Sequence, residues 1–127
     1  MKFTCSTTSL NKAIQTVQRA ISSKPTAPIF SGIHIIAAEN ILYVQAMDLN
    51  MAISCTVESN TEANGEIVVS AKHFSELMRK LPGETVTIIK NKEEKTISVQ
   101  SAKSDFQLLL MNEDDYPKFP EFNPEKQ

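Results

Sequence analysis

The sequence predicts an α+β domain made of two half repeats, each reading strand-helix-strand-strand-strand, with two helices packed on antiparallel sheet. Three observations carry this expectation. An apolar stripe with helical spacing occurs twice, and each time a short strand-like run precedes it and three more follow it. Turn residues, not long linkers, separate the runs. A chain of 127 residues is long enough for one core that buries roughly 65–70% of the unfolded surface without staples.

Residues 1–6 read as the first strand, with Thr7, Thr8 and Ser9 as candidate N-caps, so a helix is expected to start near Leu10. Leu10, Ala13, Ile14, Val17, Ala20 and Ile21 follow the i, i+3, i+4, i+7 spacing of one buried stripe, leaving Asn11, Lys12, Gln15, Thr16, Gln18 and Arg19 outside. Ser22-Ser23-Lys24-Pro25-Thr26-Ala27-Pro28 ends the helix, because a residue before proline is pushed away from helical angles. Three β-like runs follow at 29–38, 41–47 and 51–57. In the last, Met51, Ile53, Cys55 and Val57 alternate inward while Ala52, Ser54 and Thr56 face outward. Glu39-Asn40 and Asp48-Leu49-Asn50 supply the turns.

The order then repeats. Residues 66–69 form a short strand, Ser70 is a plausible cap, and Phe74, Leu77, Met78 and Leu81 repeat the helical stripe until Leu81-Pro82-Gly83 stops it. Three further β-like runs lie at 85–90, 96–100 and 105–111. The halves are therefore 1–58 and 66–111.

Charge is sorted along the chain. No acid occurs before Glu39, whereas Lys2, Lys12, Arg19 and Lys24 all fall in that stretch. Lys72, Arg79 and Lys80 lie in the second helical segment, whose one acid is Glu76. With these seven cations and Glu76 set aside from 13 bases and 15 acids, acids outnumber bases 14 to 6 elsewhere. Lys12 and Arg19 are seven residues apart, about two turns, and Lys72 and Arg79 repeat that spacing. If the helices lie side by side, these four cations form one basic patch directed away from the core, with Lys80 beside it and Lys24 extending it from the Pro-bounded loop. Any solvated helix carries Lys and Arg; two matching helices in a chain of net charge −2 fit a polyanion better. Neither polar face has an aromatic, so stacking on single-stranded bases is not indicated, and contacts to duplex phosphates without sequence preference remain.

Enzymatic chemistry finds little support. His34 sits in a strand run, where a core or sheet-face role is expected, and His73 lies beside Lys72 on the basic helix. The three glycines, Gly32, Gly65 and Gly83, are isolated, so no phosphate-binding loop is present. Glu113-Asp114-Asp115 reads as a solvated acid run, and no metal or cofactor is expected. Cys5 and Cys55 lack the nearby Cys or His that zinc needs and read as buried free thiols. No signal peptide or membrane span is visible, and a reducing cytoplasm fits.

Met1-Lys2-Phe3-Thr4, Lys24-Pro25-Thr26-Ala27-Pro28-Ile29, Asp48-Leu49-Asn50, Phe74 through Arg79 to Leu81-Pro82, and Asp115-Tyr116-Pro117 with Pro120 occur in an order and spacing that resemble the first domain of the bacterial DNA polymerase III β subunit family, the sliding clamps. The match runs from Met1 to about Phe122, with 123–127 as the start of a linker. Met47 stands where that family often has Thr, and Ser70 where it often has Pro. The resemblance implies a DNA-clamp-like domain, the first of three, in a ring of two protomers whose helices line a hole around double-stranded DNA. It implies a non-enzymatic processivity factor that tethers the polymerase. By the same resemblance Lys24 touches duplex, Lys12, Lys72 and Arg79 face the lumen, and Phe106 and Leu108 lie on the strand abutting the other protomer, with Lys103 able to pair across that joint. Polymerase and clamp-loader peptides would bind domains this chain does not contain. The rivals are a stand-alone protein interaction module whose cations merely solubilise it, and a small hydrolase using His34 or the acidic triplet.

Overall fold

The computed structural model describes residues 1–21, 28–48, 51–91 and 95–112. In chain order these form β1 (Lys2–Ser6), α1 (Thr7–Val17), 3-10 turns at Gln18–Ala20 and Pro28–Ser31, β2 (Gly32–Ala38), β3 (Ile41–Met47) and β4 (Ala52–Ala63). The second half supplies β5 (Gly65–Ser70), α2 (Ala71–Lys80), β6 (Thr85–Asn91), β7 (Thr96–Ser101) and β8 (Ser104–Leu109). Both halves thus follow the expected order.

Their pairing adds something the order alone does not show. The strands lie as β5-β2-β3-β4-β1-β6-β7-β8, all neighbours antiparallel, so each half donates its first strand to the other's sheet. β1 lies between β4 of its own half and β6 of the other, and β5 pairs with β2 and with no strand of its own half, so the two halves form one unit. β4 joins them: its residues 52–58 pair with β3, and its 59–63 stretch pairs with β1. The sheet then curls until Met111, just past β8, donates its N–H to the carbonyl of Val68 on β5 at 2.9 Å. Gly32 permits this closure, since a Cβ there would lie 2.7 Å from Val68 Cγ1 and 2.8 Å from Met111 Sδ.

The helices fill the concave side. Leu10, Ala13, Ile14 and Val17 of α1 and Phe74 and Met78 of α2 are buried together with Ile33, Ile35, Leu42, Val44, Val86, Ile88, Ile97 and Val99 from the sheet. A smaller cluster on the other side joins Met47 and Val68 to Ile29, Phe30 and Met111.

Several local expectations are corrected. α1 starts at Thr7, not near Leu10, because Ser6 is extended and caps it by accepting a hydrogen bond from the Ser9 N–H at 3.2 Å. Residues 29–31 turn as 3-10 instead of extending; Ile29 and Phe30 satisfy their apolar side chains in the small cluster, without joining the sheet. Met51 is exposed instead of turned inward; its N–H donates to Asp48 Oδ1 and its carbonyl accepts from the Asp48 N–H, both at 2.9 Å. β4 runs on to Ala63 through polar residues held by pairing: the Thr61 N–H reaches Asn40 Oδ1 at 3.0 Å, and Ser59 and Thr61 hydroxyls bond at 2.8 Å. Cys55 is half-buried, while Cys5 is buried, and both are free.

Candidate nucleic-acid interface

Burying one stripe of a helix fixes where its remaining residues point. Lys12 lies two residues from both Leu10 and Ile14, and Lys80 two from Met78, so each falls opposite the buried side. Lys12, Arg19, Lys72, His73, Arg79 and Lys80 are all exposed. None of these five Lys and Arg residues forms an ion pair with a described residue; the pairs Lys2–Glu62 (3.1 Å) and His34–Glu66 (2.9 Å) lie on strands. Arg79 and Lys80 occupy the last turn of α2, where their charge also favours the carbonyl end of the helix dipole. Lys24 lies outside the described residues, as does the Glu113-Asp114-Asp115 run.

The helices are neighbours, joined by a hydrogen bond from Gln15 Nε2 to Ser75 Oγ at 3.2 Å. Sequence reading missed both residues. The available signal was Ser75 itself, a small polar residue beside Phe74 on an otherwise apolar stripe. Ser75 is only 3% exposed.

The repeat of cation spacing is also out of step with the repeat of the fold. The N-caps are Ser6 and Ser70, and Leu10 and Ile14 correspond to Phe74 and Met78, an offset of 64. Lys12 and Arg19 match Lys72 and Arg79 at an offset of 60. The difference of four residues is about one turn, or ~6 Å along the axis. The cation pairs are therefore not structural equivalents: Lys72 sits in the first turn of its helix, Lys12 in the second. Arg19 lies beyond the α-helix proper, in the 3-10 turn Gln18–Ala20.

At the far end of the sheet, Lys103 is exposed in the β7–β8 turn, and Phe106 and Leu108 are half-buried against the core. Leu109 points the other way and is 73% exposed. No described strand pairs with the outer edge of β8 over residues 104–109.

Other chemistry is not assembled among the described residues. His34 Nε2 bonds Glu66 Oε2 at 2.9 Å across β2 and β5, a sheet-face pair, and Lys90 Nζ donates to the Glu66 carbonyl at 3.2 Å. Among the described residues no group of three His, Cys, Asp or Glu is placed to hold a metal. An open groove of about 490 Å³ between α1 and β4 is lined by Lys12, Thr16, Cys55 and Glu58 among others, without a base aimed at a nucleophile. No helix among the described residues is long and apolar enough to cross a membrane.

Comparison with known proteins follows the same architecture. The family model of the DNA polymerase III beta subunit, N-terminal domain, matches residues 1–120. The beta sliding clamp of Bacillus subtilis (strain 168) is 33% identical over 129 residues, which cover 95% of this chain and 34% of that protein. The crystal structure of the DNA polymerase sliding clamp from Bacillus subtilis superposes with a TM-score of 0.89 at 32% identity, covering 95% of this chain and 34% of that one. The beta subunit from DNA polymerase of Streptococcus pyogenes gives 0.90 at 25% identity, covering 97% and 33%. The fold is that of one domain of a sliding clamp. By sequence, the chain belongs to the DNA polymerase III beta subunit family, as its N-terminal domain. It spans about a third of the length of the Bacillus subtilis beta sliding clamp.

Proposed function

We propose that this chain acts as the N-terminal domain of a cytoplasmic sliding clamp, with 1–122 as the domain and 123–127 leading toward the next of three. It is non-enzymatic and needs no cofactor. Two protomers close a ring around double-stranded DNA, Lys12, Arg19, Lys24, Lys72, Arg79 and Lys80 meet the phosphates, and β8 with Phe106, Leu108 and Lys103 meets the second protomer. Polymerase and clamp loader engage the other domains. One observation carries the reading: two adjacent helices expose cations free of ion pairs with described residues, on a chain of net charge −2. Such contacts suffice because a closed ring is held by topology, and weak phosphate contacts permit sliding.

The test is titration of the chain with duplexes of unrelated sequence at two salt concentrations. The expected outcome is weak binding, with Kd on the order of 10⁻⁴ M or weaker at physiological salt, equal for all sequences and lost as salt rises. Tight, sequence-dependent binding that survives high salt, or no binding at low salt, would refute it.

A further inference from the structure

The hydrogen bond between the helices occupies a particular place among the cations. Lys12 precedes Gln15 by three residues and Arg19 follows it by four; Lys72 precedes Ser75 by three and Arg79 follows it by four. Positions three and four apart on a helix are surface neighbours. The Gln15–Ser75 bond between α1 and α2 therefore stands among the four cations in sequence: Lys12 precedes it on α1, Lys72 and Arg79 flank it on α2, and Arg19 follows in the 3-10 turn that continues α1.

We propose that Gln15 and Ser75 are a positioning pair, a spacer that sets how far apart the two cation rows stand and thus whether both reach phosphates at once. The inference rests on the polyanion reading of the basic helices. Its physical basis is the division of labour between the two residues. Ser75 is buried, in a place where phosphate does not reach, and its hydroxyl is met by Gln15 across the helix seam. Gln15 is exposed, so solvent can satisfy its amide equally well. An exposed amide held by a buried hydroxyl fixes a geometry more than it adds stability, since the net gain from such a bond is small. The one-turn displacement between the cation pairs makes this spacing matter: with no structural equivalence to align the rows, the distance across the seam decides which phosphates they share.

The experiment compares the full chain with Ser75→Ala, Gln15→Ala and the double variant, titrating a duplex and, separately, heparin across a salt series. Ser75→Ala keeps a good helix former in α2, and circular dichroism checks that each variant keeps its helix content. The expected result is a severalfold loss of affinity in each single variant. The double variant loses no more than either. On duplex, the salt slope becomes shallower by about 0.9 for each phosphate that the chain no longer neutralises. If Ser75→Ala binds both polyanions like the parent, or if the two losses add, the spacer is overturned. A loss confined to Gln15→Ala with an unchanged salt slope also overturns it, and assigns Gln15 a direct contact instead. Graded loss on heparin with no parent binding to duplex upholds the spacer and sinks the DNA reading; no parent binding to either sinks both.

Discussion

Cys5 and Cys55 sit on neighbouring strands of one sheet, yet their surroundings separate their chemistry. Burial pushes the Cys5 thiol up from 9.0 to about 12. The folded chain then keeps a proton that the unfolded chain releases, so the stability this thiol contributes is intact below about pH 9 and is lost as pH rises from 9 toward 12. Urea midpoints measured across that window should fall more steeply for the parent than for Cys5→Ala; parallel curves would show that the thiol ionises in place. Near neutral pH a thiol reagent should modify half-buried Cys55 first and reach Cys5 only on unfolding. Equal rates in the folded protein would mean the β1 region opens far more readily than its packing implies.

At the scale of elements, burial grades the two helices more finely than periodicity does. Phe74 is fully buried, whereas Leu77, in the middle of the expected stripe, is only partly so. Phe74→Ala should therefore cost about 3–5 kcal/mol, and Leu77→Ala should fall at or below the low end of the ~2–5 kcal/mol range. Denaturant melts that rank Leu77→Ala as the worse variant would reverse the packing face of α2. The β7–β8 turn can be tested in the same way. Ala102 adopts φ 54, the left-handed region that costs a side chain roughly 1 kcal/mol or more, so Ala102→Gly should raise stability by up to ~1 kcal/mol; a lower melting temperature would count against the turn. Most of these elements were legible in the residues. Apolar period and turn residues marked β3 and both helices, since there a buried face dictates the pattern. The C-terminal part of β4 was not legible, because Ser59, Asn60 and Thr61 are held by pairing with β1 and by Asn40, and a polar strand writes no apolar period. The cap of α1 was misplaced because the candidates Thr7, Thr8 and Ser9 carry the same hydroxyl as Ser6, which reads as the end of the strand, and only geometry separates them. In the candidate site, charge placement pointed to Lys12 and Arg79, whereas the Gln15–Ser75 contact depends on how two helices meet and has no local signature.

For the whole molecule, the strand order places β5 at one end of the sheet and β8 at the other. One bridge, from Met111 just past β8 to Val68 on β5, joins the two ends, and before it β8 presents an outer edge that no described strand pairs over residues 104–109. An exposed strand edge with large apolar side chains is a template for association. Sequence alternation nominates Phe106→Lys to blunt it, but Phe106 packs against the core, so that variant would confound loss of association with loss of fold. Leu109 is the cleaner probe, being 73% exposed and turned from the core. The chain should self-associate weakly through this edge as its concentration rises, and Leu109→Lys should return it to monomer with little change in stability, since exposed substitutions usually shift it by no more than ~0.5 kcal/mol. Sedimentation equilibrium on both proteins, with melts alongside, decides the matter. A parent that stays monomeric at millimolar concentration, or association that Leu109→Lys leaves intact, would remove β8 as the adhesive edge and with it the support this edge lends to a protomer joint.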